Sequence, residues 1–191
     1  WRSDDFGQTW IQAMGGMPLD QSMFYIDYAM DRLSPSTLYL GTYKMYKTTN
    51  DGKLWTLLKD CFFPTGTSCY YISAVNVSPY DSKLVFAGAT GGTVGISQDG
   101  GATWNIVRDS LPTAYVSAVN SFEPGIVYAT YSRYGVDKVW KSTNFGATWK
   151  SINGNLPDIP VNDILKLDGK LLIGTEVGVF ISDDEGVTWQ R

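Results

Sequence analysis

The chain has 191 residues, 43% of them hydrophobic, which is enough for a folded core and argues against a disordered protein. Its 15 basic and 19 acidic residues give a net charge of −4, which argues against a nucleic-acid partner because phosphate binding needs a basic surface. Histidine is absent, so His-dependent catalytic triads and most zinc sites are excluded, and we expect neither a metal ion nor a cofactor. No apolar run approaches the roughly 18 residues that span a membrane, so we expect no membrane span.

An octet that begins at Ser3 occurs five times along the chain. The copies are SDDFGQTW (3–10), TTNDGKLW (48–55), SQDGGATW (97–104), STNFGATW (142–149) and SDDEGVTW (182–189). Each has Ser or Thr first, Asp or Asn third, Gly fifth and Trp last. The final tryptophans are 45, 49, 45 and 40 residues apart, a period typical of propeller blades or solenoid turns.

Short segments rich in Val, Ile, Tyr and Trp lie between the octets and are bounded by Gly, Pro, Asp and Ser. One unit predicts strands at 73–77, 83–89, 93–97 and 103–107, and the next at 117–122, 126–132, 138–143 and 148–152. The last unit predicts strands at 161–167, 170–176 and 178–182. No sustained 3.6-residue period indicates a helix. The pattern predicts an all-β fold, a β-propeller or partial propeller of four-stranded antiparallel blades.

The octet resembles the Asp-box, or BNR repeat, of sialidases, xyloglucanase-type glycoside hydrolases, sortilin-type receptors and photosystem II assembly factors. The resemblance implies that each box forms the hairpin between the third and fourth strands of a blade. The residue types fit this role, because Asp or Asn accepts backbone N–H groups, Gly adopts a positive φ and Trp packs on a neighbouring blade. We assign this structural role to Ser3, Asp5, Gly7, Trp10, Thr48, Asn50, Gly52, Trp55, Ser97, Asp99, Gly101, Trp104, Ser142, Asn144, Gly146, Trp149, Ser182, Asp184, Gly186 and Trp189.

The clustered acidic residues of the boxes allow a second interpretation, as calcium ligands or catalytic acids. An EF-hand loop needs alternating oxygen ligands and a Glu at position twelve, and no box has both. Asn50 and Asn144 stand where the other boxes have Asp. An amide keeps the acceptor oxygen but cannot act as a general acid, so we expect turns here and name no catalytic residue.

The boxes divide the chain into a partial blade at 1–13, full blades at 14–59, 60–108 and 109–153, and an incomplete blade at 154–191. In a closed four-bladed ring the first and last boxes would compete for one hairpin. A segment of a larger propeller avoids this conflict, so we favour a fragment with further blades or domains in a parent chain over a closed ring.

The resemblance implies that the boxes lie on one face of the propeller and that loops on the opposite face carry ligands. These loops are 13–22, 59–70, 108–115 and 153–159 between blades, and 42–45, 89–93, 132–137 and 175–178 within blades. Their candidate binding residues are Tyr43, Phe62, Phe63, Tyr70, Tyr115, Arg133 and Tyr134. Such aromatic side chains stack on sugar rings or anchor a protein. The alternative for Phe62 and Phe63 is that they cover the core beneath their loop.

Cys61 and Cys69 lie eight residues apart, across a loop that contains Pro64 and Gly66. We predict a disulfide, the alternative being two free thiols. A disulfide indicates an oxidising compartment, so we expect a secreted or cell-surface protein.

We therefore expect a non-catalytic extracellular module for glycan or protein recognition. The alternative is a fragment of a xyloglucanase-like or sialidase-like glycoside hydrolase, with an acid pair drawn from Asp60, Asp109, Asp137, Asp158 and Glu176. A sialidase is disfavoured because the Arg-Ile-Pro stretch of that family is missing and only Arg108 and Arg133 lie in these loops. A third interpretation is an assembly factor whose whole surface is the interface.

Overall fold

The computed structural model describes residues 1–18 and 24–191, and every regular element within these ranges is a β-strand. No helix in this part of the chain is long and apolar enough to cross a membrane. Of the predicted loop 13–22, residues 19–22 lie outside the described residues.

Four antiparallel sheets, which we call blades 1 to 4, follow one another along the chain. Blade 1 contains β1 (Asp27–Met30), β2 (Leu38–Gly41), β3 (Met45–Thr48) and β4 (Thr56–Lys59). A separate hairpin of β5 (Phe63–Thr65) and β6 (Ser68–Tyr70) comes next. Blade 2 contains β7 (Ile72–Val77), β8 (Val85–Ala89), β9 (Val94–Ser97) and β10 (Asn105–Val107).

The other two blades repeat this order. Blade 3 contains β11 (Val116–Glu123), β12 (Ile126–Tyr131), β13 (Val139–Ser142) and β14 (Lys150–Ser151). Blade 4 contains β15 (Val161–Leu167), β16 (Lys170–Thr175) and β17 (Gly178–Ser182), and Gln190 forms one bridge with Ile181 where a fourth strand would lie. These sheets confirm the predicted all-β architecture of antiparallel propeller blades.

We number the octets box 1 to box 5 in chain order, and boxes 2, 3 and 4 each link the third strand of a blade to the fourth. In blade 2, for example, β9 ends at Ser97 and β10 begins at Asn105, so box 3 spans the whole connection. Box 1 closes a hairpin of its own, in which Arg2 and Ile11 form a bridge. The boxes are therefore the connections that the resemblance implied.

Side chains inside each box satisfy the backbone of the turn. In box 3, Ser97 Oγ accepts the N–H of Gly101 at 2.8 Å and donates to Asp99 Oδ1 at 2.8 Å. Asp99 Oδ1 in turn accepts the N–H of Thr103 at 2.8 Å, and the Thr103 hydroxyl donates to Oδ2 at 2.5 Å. In box 4 the amide of Asn144 accepts the N–H of Thr148 at 2.8 Å in the same way. An amide and a carboxylate thus accept the same backbone N–H in this turn.

The fourth residue of every box also has a positive φ, which the sequence interpretation assigned only to the following glycine. These residues are Phe6, Asp51, Gly100, Phe145 and Glu185, with φ between 54° and 74°. Two successive residues at positive φ are typical of the centre of a type I′ turn, in which glycine is favoured.

Three apolar clusters fill the spaces between successive blades. Trp104 packs against the cluster between blades 1 and 2, Trp149 against the next, and Trp189 belongs to the last. Trp10 of box 1 has no such cluster beside it and is 59% exposed. The tryptophans of boxes 3, 4 and 5 therefore pack toward the preceding blade, whereas Trp55 of box 2 is buried and donates its indole N–H to Ala13 O at 3.0 Å.

The two outer flanks of this arc of blades are exposed. Tyr28 and Met30 of β1 are 63% and 50% exposed, and Leu165 and Val179 of blade 4 are 47% and 52% exposed. The described residues therefore form an open arc in which blades 1 and 4 do not cover each other.

Candidate functional site

The predicted binding residues are divided between the core and the loop face, which we define as the side opposite the boxes. Phe62 and Phe63 are fully buried. Their rings meet edge to face with centroids 4.6 Å apart, and Phe62 meets Trp104 in the same way at 4.7 Å. The prediction that these two phenylalanines are ligand-binding residues is therefore wrong, and the alternative that they cover the core agrees with the structure.

The disulfide between Cys61 and Cys69 is confirmed, with the two Cα atoms 5.4 Å apart. The sequence interpretation treated this segment as a loop, whereas it contains the β5–β6 hairpin. Tyr70, at the end of that hairpin, is half-buried beneath Gly91: a Cβ built on Gly91 would lie 2.3 Å from the Tyr70 ring. Tyr70 therefore supports a neighbouring loop and presents only part of its ring.

We call the first strand of each blade, β1, β7, β11 and β15, its inner strand. A tyrosine lies just before three of these four inner strands, at the loop face. Tyr25, Tyr71 and Tyr115 occupy the same place in the repeat, just before β1, β7 and β11, where blade 4 has Pro160. Tyr25 is 82% exposed, whereas the other two are half-buried. The predicted residue Tyr43 contacts Tyr71 edge to face at 6.5 Å. Tyr25 and Tyr71 were missed, although the recurring Tyr-Ile and Tyr-Val pairs at these strand starts were visible in the sequence.

Polar side chains line a cavity of about 220 Å³ between the inner strands. Its lining includes Asp27 of β1 and Asp163 of β15 together with Ser117, Asn120 and Asn162. Burial raises the pKa of Asp27, and the nearby charge of Asp163 acts in the same direction. We call this the axial cavity.

Inner-strand side chains also link each blade to the next one. Asp27 Oδ2 accepts the backbone N–H of Val75 at 2.5 Å. Ser73 donates its hydroxyl hydrogen to Val116 O at 2.8 Å, and Ser117 donates to Val161 O at 2.6 Å. Asp27, Ser73 and Ser117 occupy the same position of the repeat. The polar residues of the inner strands therefore also help to hold neighbouring blades at a fixed distance.

Tyr115 lies close enough to Asp27 for that charge to affect it. Burial raises the pKa of Tyr115, and the charge of Asp27 adds to the effect. The predicted residue Tyr115 is not among the residues that line the axial cavity, and its hydroxyl stays in the neutral form that donates a hydrogen bond.

Arg133 and Tyr134 form a second group farther along the loop face. Arg133 is exposed and donates to Thr113 O at 2.7 Å. Tyr134 is 57% exposed and donates to Glu176 Oε2 at 3.1 Å, a bond that raises the pKa of the tyrosine. This group connects the loops of blades 3 and 4 and leaves one face of an aromatic ring open to solvent.

Three of the five loop carboxylates considered as an acid pair have polar partners of their own. Asp158 bonds to Lys138 Nζ and to the N–H of Gly135, and the lysine lowers its pKa. Asp60 lies 3.7 Å from Lys44 Nζ, whereas Glu176 accepts the Tyr134 hydroxyl. Asp109 and Asp137 are exposed. None of the five lines the axial cavity, where Asp27 and Asp163 are the acids instead.

A groove of about 590 Å³ lies on the opposite face between boxes 4 and 5 and includes Trp149 in its lining. Glu185 forms one wall and pairs with Lys141 at 2.8 Å and Lys166 at 2.7 Å. Burial alone would raise the pKa of Glu185, but hydrogen bonds from these lysines and from Tyr128 outweigh it and lower the pKa to about 2. The charge of Glu185 in this groove is therefore balanced by lysines of the same chain.

Across residues 1–18 and 24–191, no three or more Cys, Asp or Glu side chains are grouped so as to hold a metal ion.

Blades whose third and fourth strands are joined by box hairpins give this chain a β-propeller fold built on Asp-box repeats. A family model described as BNR-Asp box repeat matches residues 1–13, and one described as BNR/Asp-box repeat matches residues 180–191.

Among proteins, the chain is similar to a probable oligoxyloglucan-reducing end-specific xyloglucanase of Neosartorya fischeri. The two are 28% identical over 207 residues, which is 96% of this chain and 24% of that protein. The chain thus spans about a quarter of the length of this relative.

Among solved structures, a GH74 enzyme of Niastella koreensis matches with a TM-score of 0.67 at 18% identity, over 85% of this chain and 29% of that one. YCF48 from Cyanidioschyzon merolae matches with a TM-score of 0.62 at 16% identity, over 91% of this chain and 56% of that one. Identities this low establish the shared fold alone.

Proposed function

We propose that this chain is a non-catalytic glycan-recognition module that acts outside the cell and binds with its loop face. The observation that supports this most directly is the placement of Tyr25, Tyr71 and Tyr115 at the loop-face starts of three inner strands, which farther along also carry residues that line the axial cavity. Aromatic rings stack on the apolar faces of pyranose rings, while nearby amides and carboxylates bond sugar hydroxyls.

The chemistry of the axial cavity suits a neutral glycan. Asn162 and Asp163 are exposed, and Asn120 lies beside them. Amide and carboxylate groups offer both donors and acceptors, as a ring of sugar hydroxyls requires. Similarity to a xyloglucanase makes xyloglucan oligosaccharides the first ligands to test.

A location outside the cell is supported by the disulfide between Cys61 and Cys69. Disulfides persist in oxidising compartments and are rare in reducing ones. The relative named as a xyloglucanase is consistent with this proposal, because it would act on a polysaccharide.

Isothermal titration with xyloglucan oligosaccharides and other neutral glucans tests the proposal. Tyr25→Ala and Tyr134→Ala remove exposed rings from the loop face, and we expect each to weaken binding by roughly five- to tenfold. Phe6→Ala is the matched control, since Phe6 is a fully exposed aromatic residue on a box. Absence of binding to every glycan, or equal losses in the control, would contradict a loop-face glycan site.

A second candidate, a glycoside hydrolase, is favoured by one observation. Asp27, whose pKa is raised by burial, shares the axial cavity with Asp163. A carboxyl group with a raised pKa suits a general acid, and a second carboxyl group in the same cavity suits the base or nucleophile. If the chain is a glycoside hydrolase, we expect it to release reducing ends from xyloglucan and expect Asp27→Asn and Asp163→Asn each to abolish this release. If the unmodified chain binds glycans without cleaving them, the recognition module stands and the hydrolase does not.

A further inference from the structure

Asn153 is the only asparagine in the sequence that is followed by glycine. It lies with Gly154 in the loop between β14 of blade 3 and β15 of blade 4. Blades 1 and 2 have Lys59-Asp60 and Arg108-Asp109 at the same distance after their box tryptophans. The Asn-Gly pair is therefore a feature of blade 3 and not of the repeat.

The fold requires glycine at position 154. Gly154 has a φ of 48°, which side chains disfavour. A Cβ built on it would also lie 2.5 Å from Val187 O and 2.9 Å from Gly186 O, both in box 5. The residue after Asn153 is thus held to the one type that leaves its backbone nitrogen unshielded by a side chain.

The side chain of Asn153 is held at its oxygen and free at its nitrogen. Asn153 Oδ1 accepts the backbone N–H of Lys138 at 2.7 Å. Within residues 1–18 and 24–191, neither Asn153 Nδ2 nor the N–H of Gly154 has a hydrogen-bond partner. Gly154 is exposed, so solvent reaches this pair. A polarised amide carbon, a free amine group and an unbonded backbone nitrogen thus meet in one loop.

We propose that Asn153 is a site of spontaneous covalent modification, at which the chain converts its own asparagine to isoaspartate and aspartate. The Gly154 nitrogen loses its proton to a solvent base and attacks Asn153 Cγ, which is close because the reaction is intramolecular. The N–Cγ bond forms, the Cγ–Nδ2 bond breaks, and ammonia leaves a five-membered imide. The N–H of Lys138 stabilises the negative charge that develops on Oδ1 during the attack.

Water then opens the imide at one of two bonds. Cleavage between the Gly154 nitrogen and Cγ gives aspartate, whereas cleavage at the main-chain carbonyl carbon of residue 153 gives isoaspartate. One water is consumed and one ammonia released in either case, and no oxidant or cofactor takes part. Both products add one negative charge, but only isoaspartate lengthens the main chain by a methylene group.

The longer main chain affects box 5 through Asn155. Asn155 Oδ1 accepts the N–H of Trp189 at 2.6 Å, and Asn155 Nδ2 donates to Trp189 O at 3.2 Å. Isoaspartate at position 153 shifts Asn155 away from these groups. Aspartate at position 153 leaves the main chain unchanged and keeps an oxygen for the N–H of Lys138.

Mass spectrometry of the folded chain after incubation at mildly alkaline pH tests the site. Trypsin releases residues 151–166 as one peptide, which contains Asn153, Asn155 and Asn162. We expect the amide-to-acid mass change at Asn153 to be at least roughly tenfold faster than at the other two and to accelerate as pH rises. Asn155 is the internal control, because Trp189 holds both ends of its amide. Asn153→Gln should not react, since its longer side chain would need a six-membered ring.

Urea denaturation then tests the effect on box 5. Aged protein that contains isoaspartate should have a midpoint roughly 0.3–1 M below that of the matched variant Asn153→Asp, which has the same charge but a normal main chain. Modification of the urea-unfolded chain but not of the folded chain would overturn the proposal, as would equal rates at the three asparagines. Equal midpoints for aged protein and Asn153→Asp would overturn the link to Trp189.

Discussion

Ile96 of blade 2 lies directly against the backbone of Gly146 in box 4: a Cβ built on that glycine would stand 1.9 Å from Ile96 Cδ1. The box is therefore more than a local turn, because its glycine also determines how closely blade 3 approaches blade 2. This contact joins the repeat motif to the core of the protein.

Replacing Gly146 with alanine should destabilise the fold through both backbone and packing. The positive φ of 80° costs about 1 kcal/mol, and the overlap with Ile96 adds about 1–3 kcal/mol. Gly52→Ala is the control, since its φ of 77° is similar but the nearest heavy atom lies at 3.4 Å. Urea denaturation of both variants separates the two effects. Equal losses would show that the contact with Ile96 contributes nothing.

Two isoleucines at the same register position should respond differently to truncation. Ile96 is 2% exposed and packs against blade 3, whereas Ile181 is 39% exposed on the open flank. We expect Ile96→Ala to lower the free energy of unfolding by about 2–4 kcal/mol and Ile181→Ala by less than about 1 kcal/mol. Thermal or urea denaturation measures both. A large loss at Ile181 would mean that this flank is already covered in solution.

Acid should destabilise the fold because it protonates the aspartates of the boxes. A hydrogen bond from the position-seven threonine is the main reason why the pKa values of Asp5, Asp99 and Asp184 are lowered to about 2. A carboxyl whose pKa is lower in the folded chain stabilises the fold above its unfolded value, about 3.9, and loses that effect as pH falls toward 2. We therefore expect the free energy of unfolding to decrease between about pH 4 and pH 2.

Asp99→Asn should reduce this dependence without removing the turn, because Asn144 already performs the same role in box 4. Urea midpoints measured across this pH range give the slope. Asp109→Asn, in an exposed loop, is the control and should leave the slope unchanged. Identical slopes for all three proteins would mean that the boxes do not carry the acid sensitivity.

Removing the disulfide should loosen the segment that covers Phe62 and Phe63. The cysteines are separated by eight residues, and opening a loop of this size costs about 2–3 kcal/mol by the loop-entropy model. We expect the paired Cys61→Ser and Cys69→Ser variant to show this loss in urea denaturation. Adding a reductant to the unmodified chain should give the same loss, and the serine variant should be insensitive to it.

The architecture was predictable because the box recurs at a nearly constant interval. Tryptophans spaced 40 to 49 residues apart define one blade each, and the Val- and Ile-rich segments between them supplied the strands. The β5–β6 hairpin was not predicted, since Pro64 and Gly66 indicate a loop when only local preferences are considered. The disulfide brings the ends of that segment together and makes a hairpin the compact solution.

The candidate site was less accessible to prediction. Phe62 and Phe63 lie in a loop region by sequence, yet the hairpin turns both rings into the cluster between blades 1 and 2. Asp27 and Asp163 were overlooked because acids were sought in loops, whereas these belong to inner strands. Only the arrangement of four inner strands around an axis brings residues 136 positions apart into one cavity.

The links between inner strands join a side chain of one blade to the backbone of the next. Asp27 accepts a hydrogen bond from Val75 N, whereas Ser73 and Ser117 donate to carbonyl oxygens. A carboxylate and a hydroxyl thus perform the same linking task with different backbone groups. Because every blade presents both an N–H and a carbonyl oxygen, the side chain at this position can change in one blade without a compensating change in its neighbour.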